Sequence, residues 1–169
     1  MARALDFAAR RHAGQRRKGL NAEPYVNHLT EVALLLAEAS DGNDPDLVMA
    51  GLLHDTIEDT ETTRAELVEA FGEDVAGLVA EVTDDTNLSR EERKRRQVQT
   101  APSKSGRARM IKLADKIANL HSIAVSPPVG WSGRRKRDYV AWAREVAAAC
   151  GPTNQKLELL FAEAARALD

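Results

Sequence analysis

The sequence is poor in the residues that build disulfide frameworks, aromatic cores and membrane spans. It has one cysteine, Cys150, in 169 residues, so an intramolecular disulfide is excluded and a reducing compartment is expected. Aromatics are limited to 3 Phe, 2 Trp and 2 Tyr, which leaves the core to Ala and Leu on closely packed helices. The longest apolar stretches lie near Val32–Ala37 and Leu47–Leu53, well short of the ~20 residues of a membrane helix. No signal peptide is visible. An excess of one charge is also lacking: 24 Lys plus Arg stand against 26 Asp plus Glu, net −2, which argues against a dedicated duplex-DNA binder. A Gly-rich phosphate loop is missing, which disfavours a P-loop nucleotide enzyme. These absences point to a cytoplasmic protein with no membrane and no specific nucleic-acid partner. The length fits a single domain over residues 1–169.

What is present is helical periodicity. Asp44-Pro45 is a capping residue followed by proline in a first turn, and Leu47, Val48, Gly51 and Leu52 then repeat at helical spacing. Thr63-Arg64-Ala65-Glu66 reads as a capping box, with Gly72 as the stop. Val75, Leu78, Val79 and Val82 mark another helix. Ser89-Arg90-Glu91-Glu92 is a second capping box, opening a polar helix expected on the surface. Three more apolar stripes run through Met110–Leu120, Tyr139–Val146 and Leu157–Ala164, and one more helix is expected from near Thr30. Alternating strand patterns, hairpin dipeptides and repeats are absent. The expectation is an all-α bundle of about eight helices.

The near-neutral net charge hides a polarised distribution. His54 to Asp85 contains 11 acidic residues and one base, Arg64, whereas Arg90 to Lys116 contains 10 bases and only Glu91, Glu92 and Asp115 as acids. Most such runs are solvated helix faces. The alternation also suits a metal on acidic ligands beside basic groups that grip a polyphosphate.

The sharpest local signal is His54-Asp55-Thr56-Ile57-Glu58-Asp59, directly after the apolar run Leu47–Leu53. A lone histidine there is more often a hydrogen-bonded core residue than a ligand. A His-Asp pair with two further carboxylates within five residues is different: such a group resists burial unless a cation compensates it. If the helix continues, His54 shares a face with Glu58, and Asp55 with Asp59. Asp115 lies at the edge of the Ile111–Leu120 stripe, with Asn119 one turn on; taken alone it reads as a salt bridge to an arginine. His28 stands just ahead of the helix expected from Thr30. His28, His54, Asp55 and Asp115 together form a mixed N/O set that suits Mn²⁺, Fe²⁺ or Zn²⁺. A metal would lower the pKa of water, and Glu58 or Asp59 could then orient or deprotonate it. This is equipment for phosphoester hydrolysis.

An ordered series of segments resembles the HD superfamily, and within it the alarmone hydrolases related to the hydrolase half of the RelA/SpoT proteins. The likeness is greatest to the stand-alone small alarmone hydrolases of metazoan (Mesh) type. The matching residues are Gly14–Lys18, Pro24–His28, Gly51–Thr60, Glu81–Asp85, Glu92–Lys94, Val98-Gln99, Ile111–Lys116, Gly130–Ser132, Tyr139, Trp142-Ala143 and Thr153-Asn154. The resemblance implies one Mn²⁺ on His28, His54, Asp55 and Asp115, catalytic carboxylates at Glu58 and Asp59, and removal of pyrophosphate from the 3′ position of ppGpp or pppGpp. It implies purine packing on Arg17, with Lys18 in the same loop, the nucleoside at Asn119, and 5′-phosphate contacts from Arg90 and Arg135. The synthetase domain of the RelA/SpoT proteins is not expected, and a homodimer is compatible with the sequence.

Departures from the family pattern are Leu29 in place of proline after the first metal histidine, the loop Gly19–Ala22, Thr86 where lysine is common, His121 where arginine is common, and Pro152 in place of glycine. All six metal and catalytic positions are intact. Two rival expectations share the site: a phosphatase acting on the 2′-phosphate of NADPH, and a non-catalytic alarmone sensor. The retained Glu58 and Asp59 argue against the sensor.

Overall fold

Helix α1 (Ala2–Arg11) begins the chain, followed by α2 (Val26–Ala39), α3 (Pro45–Leu53), the single turn α4 (Thr56–Asp59), α5 (Arg64–Phe71) and α6 (Glu73–Val82). Then come α7 (Arg90–Thr100), a short 3₁₀ turn (Ala101–Ser103), α8 (Gly106–Val125), α9 (Gly133–Cys150) and α10 (Gln155–Arg166). This computed structural model describes all 169 residues. The only extended pairings are two isolated antiparallel bridges, Arg16 to Pro24 and Gly19 to Pro128, so the fold is all-α. No helix is long and apolar enough to cross a membrane.

The helix starts follow the caps in the sequence. Asp44 accepts from the Leu47 N–H ahead of α3 with Pro45 in the first turn, and Thr63 and Glu66 complete both halves of their capping box at α5. Ser89 makes half of one: its side chain accepts from the Glu92 N–H, while the Glu92 carboxylate reaches the Ser89 hydroxyl rather than its backbone. Between α5 and α6, Gly72 takes φ 88°, a left-handed conformation that costs glycine little.

Ten helical segments replace the expected eight. Helix α1 escapes periodicity because its fully buried residues are only Ala4 and Ala8, and α4 is too short to show a period. Helix α2 starts at Val26, one turn earlier than expected, so His28 lies inside its first turn rather than ahead of it. Leu29, next to it in the same turn, is fully buried in the core.

The main core is a cluster of 31 buried residues whose one aromatic is Phe161, so small aliphatic side chains set the helix spacing. Gly51 is the clearest case. A Cβ there would come within 2.5 Å of Leu36 Cδ1 and 3.5 Å of Ala33 Cα, so glycine lets α3 press onto α2. This approach brings the ends of the two helices, and with them His28 and His54, together. Helix α8 runs through the middle, packing on α2, α6, α9 and α10. Helix α7 has no buried residue and lies across the surface beside α9, as its polar sequence predicts.

Candidate functional site

His28 from α2, His54 and Asp55 from the break between α3 and α4, and Asp115 from α8 converge below the surface. The imidazole centroids of His28 and His54 are 5.2 Å apart. His28 Nε2 is 3.3 Å from Asp115 Oδ1 and 3.7 Å from Asp55 Oδ2. His54 Nε2 is 3.0 Å from Asp55 Oδ2 and 3.8 Å from Asp115 Oδ1. One atom each from His28, His54 and Asp115 lie within 4.8 Å of one another, close enough to hold a metal ion. Asp55 stands at the edge of this cluster, its Oδ2 also accepting from the Tyr25 hydroxyl at 2.6 Å.

The ligand atoms are oriented from behind. His54 Nδ1 donates to the Gly51 carbonyl at 2.8 Å, which fixes a proton on Nδ1 and turns Nε2 toward the cluster as the atom a metal would take in place of a proton. That Nε2 is buried and has no hydrogen-bond donor facing it, as expected of a metal-binding nitrogen. Asp115 Oδ1 accepts from Asn119 Nδ2 at 2.6 Å and Oδ2 from Lys116 Nζ at 2.7 Å. The salt-bridge partner of Asp115 is therefore its own neighbour Lys116 together with the two histidines, not the arginine expected of an isolated aspartate. Lys116 is itself buried and lies 4.6 Å above the Trp142 ring.

Burial works against charge on both imidazoles. On His28 it prevails and keeps the ring neutral below its ordinary pKa. On His54 the adjoining Asp55 overcomes it and the pKa is pushed up to about 9. Burial likewise opposes the ionised carboxylates, but His54 holds Asp55, and Lys116 with His28 holds Asp115, well below the usual carboxylate range. The cluster therefore keeps two carboxylates ionised in a buried space.

Glu58 and Asp59 follow in α4. Glu58 Oε2 accepts from the Asp84 N–H at 3.0 Å and Oε1 from Arg93 at 3.2 Å, yet burial pushes its carboxyl up to about 7. Burial also raises Asp59. A carboxyl titrating near neutrality can exchange a proton with water at working pH.

Two cavities meet here. One, of about 170 Å³, is lined by His54, Asp55, Glu58, Lys112 and Asp115 among others. The other, of about 260 Å³, is lined by Arg17, Lys18, Arg90, Trp131 and Tyr139 among others. Tyr25, Asp59 and Asn119 line both. Arg17 donates to Asn119 Oδ1 at 2.9 Å, so a side chain of the cationic cavity is linked through Asn119 to Asp115. Arg135 does not line either cavity; its guanidinium lies 4.8 Å over the ring of Trp131, which lines the cationic one.

An HD-domain model matches residues 4–144. The chain belongs to the HD-domain family. It is similar to two proteins named guanosine-3′,5′-bis(diphosphate) 3′-pyrophosphohydrolase MESH1. That of Drosophila melanogaster is 44% identical over 159 residues, covering 94% of this chain and 89% of the relative. That of Homo sapiens is 46% identical over 155 residues, covering 92% and 87%. A solved structure described as a metazoan ortholog of SpoT that hydrolyzes ppGpp superposes with a TM-score of 0.94 at 43% identity, covering 98% of this chain and 93% of that one.

Further residues around this HD site are tied to it by contacts that no motif in the sequence announces. Tyr25 hydrogen-bonds Asp55 and is stacked at 5.2 Å on buried His12. Gln15 ties His12 to the Asp59 carbonyl. Helix α7 carries a hidden period: Arg90 lines the cationic cavity, Arg93 reaches Glu58, Lys94 lies 4.5 Å over Trp142, and Gln97 donates to Asp84. The spacing i, i+3, i+4, i+7 was there to be found, but in polar residues.

Proposed function

We propose that this chain is a metal-dependent guanosine-3′,5′-bis(diphosphate) 3′-pyrophosphohydrolase, converting ppGpp or pppGpp to GDP or GTP and pyrophosphate in the cytoplasm. We read residues 1–169 as one catalytic domain. The observation that carries the proposal is the junction of the two cavities at Tyr25, Asp59 and Asn119. A nucleotide with phosphates on both sides of its ribose can reach a cationic, aromatic wall with one end and a His-Asp cluster with the other. The MESH1 relatives support the same substrate.

His28, His54 and Asp115 would hold the ion, with Asp55 as fourth ligand. One Mn²⁺ per chain suits this mixed N/O set and its open positions. When bound, the ion supplies Lewis acidity to the phosphoryl group and a lowered pKa to water. The chain's own residues do the rest. Glu58 accepts the proton of the attacking water, its carboxyl being poised near 7, and Asp59, at the junction, orients that water. As water bonds to phosphorus, the bond to the 3′-oxygen breaks; pyrophosphate leaves and a proton is returned to form the 3′-hydroxyl. Arg17 packs against the purine, with Lys18 beside it and Asn119 at the nucleoside. Arg90 meets the 5′-phosphates, and Arg135 supports the same end through Trp131.

The test is a mixed-substrate assay with ppGpp and NADPH at equal concentration. The proposal predicts ppGpp consumed with a kcat/KM at least about tenfold higher, an advantage of about 1.4 kcal/mol in transition-state binding. Preferential release of the 2′-phosphate of NADPH would overturn the substrate assignment while leaving the metal site standing.

A further inference from the structure

Among the Lys and Arg residues, only Lys112 lines the cavity that holds the metal cluster. The other cations are committed elsewhere. Arg17, Lys18 and Arg90 line the neighbouring cavity, Arg93 is held on Glu58, and Lys116 on Asp115. Lys112 lies on α8, one turn before Asp115, so the two share a face of the helix. Its side chain is only 8% exposed. An ammonium has three protons to donate, but Lys112 Nζ makes a single hydrogen bond, to Asp84 Oδ1 at 3.3 Å. A buried cation with unused donors is costly unless something in the cavity takes them up.

We infer that Lys112 is a catalytic residue that binds the 3′-pyrophosphate of the substrate and stabilises the charge that gathers on its oxygens as the bond to the ribose breaks. The inference rests on the hydrolase reading above. A pyrophosphate group entering this cavity meets the carboxylates of Asp55, Glu58, Asp59 and Asp115. A bound divalent ion offsets part of that repulsion. A fixed ammonium that is itself largely shielded from solvent offsets more, and acts most strongly where charge develops. Lys112 forms no covalent bond and transfers no proton in this role. Asp84 anchors it from the far side, so that Nζ keeps its remaining hydrogens for the phosphoryl oxygens.

A purely structural role would be the Lys112–Asp84 ion pair alone, which would brace the segment after α6. Two variants separate the roles: Lys112→Met removes the cation, and Asp84→Asn removes the pair but keeps the cation. Metal-loaded protein is titrated calorimetrically with inorganic pyrophosphate and, separately, with GDP, and metal content is measured for each variant. Lys112→Met is expected to retain metal and GDP binding, to weaken pyrophosphate binding about tenfold or more, and on ppGpp to raise KM by up to about tenfold while lowering kcat by a larger factor, roughly 100-fold. Asp84→Asn is expected to bind pyrophosphate within about twofold of wild type.

Unchanged pyrophosphate affinity in Lys112→Met would overturn the inference, as would an equal loss in Asp84→Asn or loss of metal from Lys112→Met. If wild-type protein left ppGpp intact while pyrophosphate binding still depended on Lys112, the anion site would stand and the substrate reading would fall.

Discussion

Replacing Glu58 by glutamine keeps the side chain's size and removes its basicity. In the wild type, burial pushes the carboxyl from an ordinary 4.5 up to about 7. A raised folded-state pKa means that the folded chain holds this proton more tightly than the unfolded chain. The stability this group contributes is therefore full below about pH 4.5 and is lost as pH rises through about 7. That 2.5-unit difference corresponds to at most about 3 kcal/mol. The side chain keeps 19% exposure, and solvent screening reduces the figure to about 1–2 kcal/mol. Glutamine does not titrate, so metal-free Glu58→Gln should gain about 1–2 kcal/mol relative to wild type between pH 4.5 and 7.5, read by urea denaturation. A constant loss of ~1 kcal/mol underlies it, because the amide must turn its NH₂ toward either the Asp84 N–H or Arg93. In the loaded enzyme, kcat should fall about 10²- to 10⁴-fold with metal content unchanged. The acid limb of wild-type kcat/KM, at or below pH 7 because a nearby cation lowers the pKa, should vanish with it. A kcat within about threefold of wild type, with the limb intact, would refute the proton-transfer role. Loss of metal would make Glu58 a ligand instead.

Other perturbations probe the supports of the site. Tyr25→Phe removes the hydroxyl on Asp55 Oδ2 without emptying the space; metal affinity, measured by competition with a chelating dye, should drop about 10- to 100-fold. Arg17→Ala breaks the link to Asn119 and strips the cationic cavity of a guanidinium. It should raise KM more than it lowers kcat, and steady-state kinetics showing the reverse would remove Arg17 from nucleotide binding. Leu53→Ala hollows the fully buried core position just before His54, and chemical denaturation should report a loss of about 2–5 kcal/mol.

The parts of the fold legible in the sequence are those set by local rules. Asp44-Pro45 and the Thr63/Glu66 box start their helices where the sequence says they should, and the apolar stripe of α8 is its buried face. The His54-Asp55 step was legible because four ionisable groups in six residues make no sense in an apolar context without a cation. What stayed hidden depends on distant partners. Lysines at 112 and 116 read as solvated charges, yet both are buried, because Asp84 from the segment after α6 and Trp142 from α9 meet them. Tyr25 looks like one more residue of a loop until Asp55, thirty positions on, accepts its hydroxyl. The start of α2 is not marked in the sequence, because Tyr25 offers no side-chain cap. In the basic run of α7 several registers fit the sequence equally, and only packing against Glu58, Asp84 and Trp142 selects among them.

The central claim is that the His-Asp cluster and the cationic cavity together perform metal-dependent removal of the 3′-pyrophosphate. It is tested most directly by incubating Mn²⁺-loaded protein with ppGpp, with and without EDTA, and quantifying the products. The account predicts GDP and pyrophosphate in equal amounts, abolished by the chelator and restored by added Mn²⁺. Intact ppGpp under metal-replete conditions, or turnover indifferent to EDTA, would contradict it.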